Sequence, residues 1–299
     1  MPLYAVTGAS GQLGRLVIES LLDQDVSPAD VVAVVRTPSK AAGLRQRGIE
    51  IRVADYAQPE TLSQAFAGVD RVLLVSSSEA GSRLAHHTNV IEAARRAGAS
   101  RIAYTSMLNA DDTTNPLAGE HRDTEQLLRQ AGVPFTLLRN GWYTENYTDQ
   151  LSRYLTSGHV LGAAGNGRIS AATRRDYAIA AAVSIGQDGD GDRTYELGGP
   201  AFDLTQLAQI ISELTGTQVV YRDLTVDQYA DALRRAGLDR PTARFVAALD
   251  ASIANGDLET HGDDLVQLIG RPATPVTDVV SAARDELSLD AGTAPVSGV

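Results

Sequence analysis

The 299-residue sequence predicts an α/β protein: a doubly wound parallel sheet with a smaller, mostly helical C-terminal lobe. Three observations carry that expectation. Short β-branched runs alternate with longer amphipathic stretches from the first residues onward, the rhythm of βαβ units. The first such run ends in glycines spaced G-x-x-G-x-x-G, directly before a helical pattern. After Arg139 the alternation loosens into a region that reads as mostly helical.

Six strands follow from the apolar runs: Leu3–Thr7, Val31–Arg36, Glu50–Ala54, Arg71–Ser76, Arg101–Thr105 and Phe135–Arg139. Helical patterns between them begin near Gln12, Ser39, Pro59, Gly81 and Gly119. Beyond Arg139 come a helical stretch Tyr143–Ser157, a Gly-rich segment Gly162–Gly167, a helix from Thr173 and a strand near Arg193–Leu197. One more strand, Gln218–Arg222, is set among helices expected at Asp203–Thr215, Val226–Ala236, Arg240–Asn255, Gly262–Ile269 and Val276–Glu286. The end of the chain is rich in Gly, Ala, Pro and Ser and has little to bury, so residues 288–299 are expected to be a disordered tail.

The first strand runs into Thr7-Gly8-Ala9-Ser10-Gly11-Gln12-Leu13-Gly14. Gly8 permits the tight turn, Gly11 lets backbone N–H groups approach a pyrophosphate at a positive helix N-terminus, and Gly14 allows close helix–strand packing. A glycine motif alone is weak; at the first β–α junction of a six-strand unit it predicts a Rossmann-like dinucleotide site. Residues 1–157 are then the NAD(P)-binding domain, to which segments near 170–200 return, and residues 158–287 form the smaller substrate lobe. The second strand ends at Arg36, where NAD-preferring proteins usually carry an acid for the ribose 2′-OH. A guanidinium there pairs with a 2′-phosphate, and Lys40 follows one turn later, so the sequence points to NADP(H). Ser76-Ser77-Ser78 after the fourth strand and Thr105-Ser106 after the fifth lie where an open α/β sheet binds its ligand, although Ser77 or Ser78 serves equally well as a helix cap.

Short-chain dehydrogenases on this fold commonly use a Tyr and a Lys four residues apart as an acid/base pair. Lys40 is the only lysine here, and the corresponding region places His121 where the tyrosine belongs and Glu125 where the lysine belongs. His121 is a candidate proton donor or a packing residue of an amphipathic helix. Alcohol–ketone chemistry is disfavoured, and reactions needing little proton assistance, or cofactor sensing, gain. The sixth strand leads into Asn140-Gly141-Trp142-Tyr143-Thr144-Glu145-Asn146-Tyr147, the densest polar and aromatic cluster in a chain with 5% aromatic residues. Asn140 can bond a carboxamide or a substrate carbonyl, and Tyr143 and Tyr147 share a helix face on which a flat acceptor can stack. Trp142 fits either that role or the packing of the two lobes. Arg174, at a helix start, faces the cleft or pairs with an acid.

Composition removes several alternatives. There is no cysteine, hence no disulfide, no Cys-ligated zinc, no iron–sulfur cluster and no thiol nucleophile. A formal charge of −11 with no basic run argues against nucleic acid and anionic membranes. No apolar stretch approaches a membrane span and no basic leader precedes one, so a cytoplasmic location is expected. The adjacent His86 and His87 point about 100° apart on a helix, and no metal site is assigned.

Five segments taken together resemble the NmrA-like atypical short-chain dehydrogenases, in particular their bacterial NAD(P)H:quinone oxidoreductase type 2 branch. These are Thr7–Gly14, Val34–Lys40, Ser76–Glu79, Ala103–Ser106 and Leu137–Tyr147. The resemblance spans about residues 1–286. It implies NADPH held by Gly8, Ala9, Ser10, Gly11, Gln12, Leu13, Arg36, Ser76, Ser77, Ser78, Asn140, Gly141, Trp142, Tyr143, Thr144, Glu145 and Arg174. A small-molecule quinone would lie in the cleft between the lobes. The expected reaction is direct hydride transfer without flavin or metal, with Asn140, Tyr143 and His121 as catalytic candidates. A homodimer is left open. The competing expectations are a dinucleotide-binding redox sensor acting through a protein partner and a reductase of other flat acceptors such as triphenylmethane dyes, a pocket that Trp142 would narrow.

Overall fold

The computed structural model describes residues 1–292 apart from Ser78, Ala80 and Asp190. The chain begins with β1 (Tyr4–Val6), α1 (Gln12–Asp23), β2 (Val31–Val35), α2 (Ala42–Gln46), β3 (Glu50–Val53), α3 (Pro59–Ala65) and β4 (Arg71–Leu74). It continues through α4 (Arg83–Arg96), β5 (Arg101–Met107), α5 (Ala118–Gln130), β6 (Phe135–Asn140), α6 (Glu145–Thr148), α7 (Leu151–Ser157), β7 (His159–Gly162), α8 (Arg174–Gly186) and β8 (Arg193–Leu197). Last come α9 (Leu204–Thr215), β9 (Val220–Asp223), α10 (Val226–Arg235), α11 (Arg240–Ala254), α12 (Asp264–Ile269) and α13 (Val276–Gly292).

Seven parallel strands form one sheet in the order β3-β2-β1-β4-β5-β6-β8. The order reverses between β1 and β4, the switch point outside which such sheets bind ligands. Both faces are covered, which is why the strands read as continuous apolar runs. Val6, Leu73, Ala103 and Leu138 face the layer that contains α1 and α8. Their chain neighbours Ala5, Val72, Leu74, Ile102 and Leu137 face the layer of α3, α4 and α5. Register places Asn140 at the carboxyl end of β6, opposite Met107 of β5 and Leu197 of β8.

The lobe is built on a two-stranded parallel sheet of β7 and β9. Its core joins Tyr147, Tyr154, Phe202, Leu207, Ile211, Ile253 and Val280. Four expectations change in detail. The stretch Tyr143–Ser157 is two short helices, α6 and α7, rather than one. His159–Gly162 is a strand, paired 61 residues away with Val220–Asp223. α12, expected in the lobe, packs on α8 and buries Leu265 and Leu268 against the sheet layer. α13 continues to Gly292 where a tail from residue 288 was expected, and Leu287 packs on the lobe core; residues 293–299 lie outside the described residues.

Candidate functional site

The turn after β1 follows from its glycines. Gly8 has φ +58°, a conformation that side chains with a Cβ rarely adopt. A Cβ on Gly14 would stand 2.5 Å from the Gly8 carbonyl oxygen, so α1 can lie this close to the turn only with glycine there. Gly11 caps α1 with no side-chain hydrogen bond, leaving the first-turn N–H groups without a side-chain partner. Ala9 and Leu13 are buried beneath the turn, while Gln12 is exposed at the start of α1.

Beside this turn lies a cleft of about 310 Å³ at the carboxyl ends of β1 to β4. Gly8, Ser10, Gly11, Arg36, Lys40, Ser76 and Ser77 line it, together with Thr37, Asp55, Tyr56, Glu79 and His86. Tyr56 was not anticipated: its hydroxyl bonds Thr7 Oγ1 and donates to the Val75 carbonyl at 3.0 Å, holding β3 and β4 to the turn. Arg36 Nη1 lies 2.8 Å from Glu79 Oε1, and both groups are open to solvent, with 67% and 49% of their side chains exposed. Such a pair contributes little on its own. The loop carrying Ser76–Glu79 is tied to α4 and α5. The Ser77 N–H donates to His87 Nε2 at 3.0 Å, Arg83 Nε donates to the Ser77 carbonyl at 2.8 Å, and Glu120 accepts from the Gly81 N–H at 3.0 Å. Ser78 lies outside the described residues.

A second cluster forms beyond β6. The Gly141 N–H donates to the Leu197 carbonyl at 2.7 Å, and a Cβ on Gly141 would stand 2.6 Å from the Ser170 carbonyl oxygen. The glycine therefore serves a backbone crossing of the protein itself. The segment continues alongside residues 172–174: Tyr143 bridges to Ala172, the buried Thr144 donates its N–H to the Ala172 carbonyl, and Glu145 accepts the Arg174 N–H at 2.8 Å. The Arg174 guanidinium sits 5.0 Å from the Tyr143 ring centroid and donates to Asn146 Oδ1 at 3.1 Å. Burial raises the Tyr143 pKa, against the pull of Arg174 and Asn140. Trp142 points the other way, toward the lobe core. Asn140 Oδ1 and Ser76 Oγ are buried without a hydrogen-bond partner among the described residues, at the ends of β6 and just past β4. Buried polar atoms are nearly always paired, so these two orphans at the sheet's ligand-binding edge fit a bound molecule that supplies the missing partners.

The two positions where an acid/base pair would stand on α5 are both engaged. His121 is buried, its Nδ1 is 2.7 Å from the Tyr104 hydroxyl, and burial, reinforced by Arg83, lowers its pKa to about 3. Glu125, also buried, accepts Arg139 Nη2 at 2.6 Å, Arg139 Nε at 2.9 Å and the Ser106 hydroxyl at 2.6 Å. Arg139 in turn reaches Glu196 of β8 at 2.8 Å and Asp111 at 2.9 Å, a network that ties α5, β5, β6 and β8 together. Among the described residues no group of three His, Asp or Glu side chains is placed to hold a metal ion, and no helix is long and apolar enough to cross a membrane.

Known proteins share this arrangement. A family model described as NAD(P)H-binding matches residues 8–182. The chain is 45% identical over 280 residues to quinone oxidoreductase 2 of Escherichia coli strain K12, covering 93% of this chain and 98% of that protein. It superposes with a TM-score of 0.91 on the crystal structure of an E. coli NADPH-dependent quinone oxidoreductase complexed with NADPH, at 45% identity, covering 93% of this chain and 99% of that one. The triphenylmethane reductase of Citrobacter sp. is similar at a TM-score of 0.89 and 37% identity, covering 94% and 99% of the two chains. With residues 8–182 matching that model and almost its whole length aligned with quinone oxidoreductase 2, the chain belongs to the NAD(P)H-binding family and, within it, is a relative of the quinone oxidoreductase 2 reductases.

Proposed function

We propose that the protein is a cytoplasmic NADPH-dependent quinone reductase that transfers hydride directly, without flavin or metal. The observation that carries this reading is the state of α5. His121 is neutral and tied to Tyr104, and Glu125 is locked to Arg139, so neither is free to protonate a carbonyl. A quinone is electron-poor enough to accept hydride at carbon or oxygen without a preorganised acid, with the remaining proton drawn from water. The relatives named above, an NADPH-dependent quinone oxidoreductase among them, support the same choice of cofactor and acceptor.

NADPH supplies the hydride; the chain's own residues bind and orient. Gly8–Leu13 receive the pyrophosphate at the α1 N-terminus. Arg36, released from Glu79, takes the 2′-phosphate with Lys40 beside it. Asn140 and Ser76 give their unpaired atoms to the carboxamide and ribose end. Tyr143, Thr144, Glu145 and Arg174 would form the wall for the nicotinamide end, with Trp142 beyond it. The balance is NADPH, quinone and one proton giving NADP⁺ and hydroquinone.

The test is NADPH oxidation at 340 nm by purified protein with benzoquinones and naphthoquinones, with and without added flavin, beside an NADPH titration lacking acceptor. Turnover well above the uncatalysed rate and indifferent to flavin is expected. Tight NADPH binding with no turnover would overturn the reading in favour of a redox sensor, and turnover with triphenylmethane dyes alone would reassign the acceptor.

A further inference from the structure

A second cavity, of about 200 Å³, lies inside the lobe. Four aromatic side chains, Trp142, Tyr147, Tyr154 and Tyr229, form much of its wall. Asp250 and His159 stand among them, and Asn146, Gln150, Arg153 and Ser157 complete the polar part of the lining. Asp250 is fixed by one oxygen: Oδ2 accepts the Ala163 N–H at 2.8 Å. That approach depends on Gly162, where a Cβ would stand 2.7 Å from the same oxygen. Burial pushes the Asp250 carboxyl up to about 6, against the Ala163 N–H and with help from Asp223. His159 Nδ1 is buried with no partner among the described residues. A partly open cavity with aromatic walls, a carboxyl group and an orphaned ring nitrogen suits a small ligand with an aromatic face and polar atoms at its edge.

The cavity also touches the cofactor-side cluster. Trp142 and Asn146 line it, while Tyr143 between them packs edge-on to Tyr177, and Asn146 accepts from Arg174. One short segment therefore carries both a wall of this cavity and the Tyr143–Arg174 contact. We propose that this cavity is the acceptor site and that it takes a one- or two-ring quinone, its ring against Trp142 and one oxygen at the Asp250–His159 end. The assignment rests on the quinone reductase reading. A carboxyl group suits both ends of the reaction as a hydrogen-bond partner, the reaction's proton still coming from water: protonated it donates a hydrogen bond to a quinone carbonyl, and ionised it accepts one from a hydroquinone hydroxyl. The size selects the class of acceptor, because about 200 Å³ is below the roughly 300–1,000 Å³ of sites for drug-sized ligands. On that volume a fused bicyclic ring is the expected occupant rather than three splayed aryl rings.

Trp142 is the only tryptophan and lines this cavity, so without NADPH present its indole fluorescence reports on the cavity wall. The experiment titrates menadione into the full-length protein without NADPH, corrected for quinone absorption, and measures KM for menadione and for NADPH on the same samples. Saturable quenching is expected, with malachite green neither quenching at matched concentration nor competing. Asp250→Leu should weaken quenching and raise the menadione KM about tenfold while leaving the NADPH KM unchanged, and Asp250→Asn should restore most of both. Val246→Phe, which fills the cavity from another wall without adding a second indole, guards against a folding defect at Asp250: it should raise the menadione KM without moving the NADPH KM. Wild-type turnover with quenching and KM indifferent to all three variants would overturn the cavity assignment and leave the reductase reading standing. Asp250-dependent quenching in a protein that never oxidises NADPH would overturn the reductase reading and, with it, the role of the cavity as an acceptor site.

Discussion

His87 Nε2 accepts the backbone N–H of Ser77 at 3.0 Å, and that one bond sets the state of the whole imidazole. With Nε2 accepting, the proton sits on Nδ1 and is donated to Thr124 Oγ1 at 3.0 Å, whose own hydroxyl donates to the Glu120 carbonyl at 2.8 Å. The loop that borders the cofactor cleft is thereby referenced to α5. Replacing His87 by Ala leaves a buried N–H unpaired, worth about 1–3 kcal/mol. If that strain is released by loop displacement, NADPH Kd rises about tenfold while kcat at saturating NADPH changes little. His87→Gln, whose amide both accepts and donates, restores most of the affinity. Isothermal titration of the two variants with NADPH checks this.

Glu79 competes with a 2′-phosphate for the Arg36 guanidinium at the cleft mouth. Arg36→Asp removes the partner of a 2′-phosphate and should weaken NADPH by roughly 10- to 100-fold with little effect on NADH. Glu79→Gln acts in the opposite direction: the guanidinium no longer has to leave a carboxylate 2.8 Å away, so NADPH affinity should increase a few-fold. Both effects shrink as salt is added, because the pair is exposed. Competition binding of the two nucleotides at low and high ionic strength measures all three.

Burial holds His87 and His121 well below the usual histidine range, each to about 3. Unfolded, both take up a proton near pH 6.5. Their neutrality therefore contributes stability that is complete above about pH 6.5 and is lost as pH falls toward 3, by up to about 1.4 kcal/mol per histidine per pH unit. Asp250, held up to about 6, runs the other way and loses its contribution as pH rises from about 4 to 6. The difference between wild type and His87→Gln isolates one histidine: the Tm gap should be widest near pH 8 and close toward pH 4.5. A gap that is constant with pH would show that His87 is not buried in its neutral form.

Two glycines separate packing from mere flexibility. Gly141→Ala forces a methyl to 2.6 Å from the Ser170 carbonyl oxygen and 2.9 Å from the Tyr177 hydroxyl, so Tm should fall sharply and activity with it. Gly43, in α2, has open space around its missing side chain. Gly43→Ala should leave activity intact and raise stability by about 0.5–1 kcal/mol. Thermal melts of the pair give the contrast.

The parts of the molecule legible in the sequence are those whose cause is local. The six sheet strands were readable because burial on both faces makes each a short apolar run, and the glycine turn because its spacing encodes its geometry. The position of Arg36 on the rim of the cleft was readable from its place at the end of the second strand. Tyr56, Glu79 and the Asp250 cavity were not, since each acquires its role from segments far along the chain. β7 is four residues long and finds its partner only in β9. The break between α6 and α7 leaves little trace in periodicity. The extension of α13 to Gly292 depends on Leu287 meeting the lobe core, which small-residue composition conceals.

The lock between Glu125 and Arg139 restricts how this scaffold can be redesigned. Grafting a Tyr and Lys pair into positions 121 and 125 looks like a restoration of ordinary short-chain dehydrogenase chemistry. In this protein it would place an ammonium beside the Arg139 guanidinium in a buried setting and leave that guanidinium without its bidentate acid, a change expected to cost about 3–5 kcal/mol. The graft would yield insoluble protein before it yielded a new reaction. Anyone seeking a carbonyl reductase here would have to neutralise Arg139 in the same step, because the site of the usual reagent has become part of the frame.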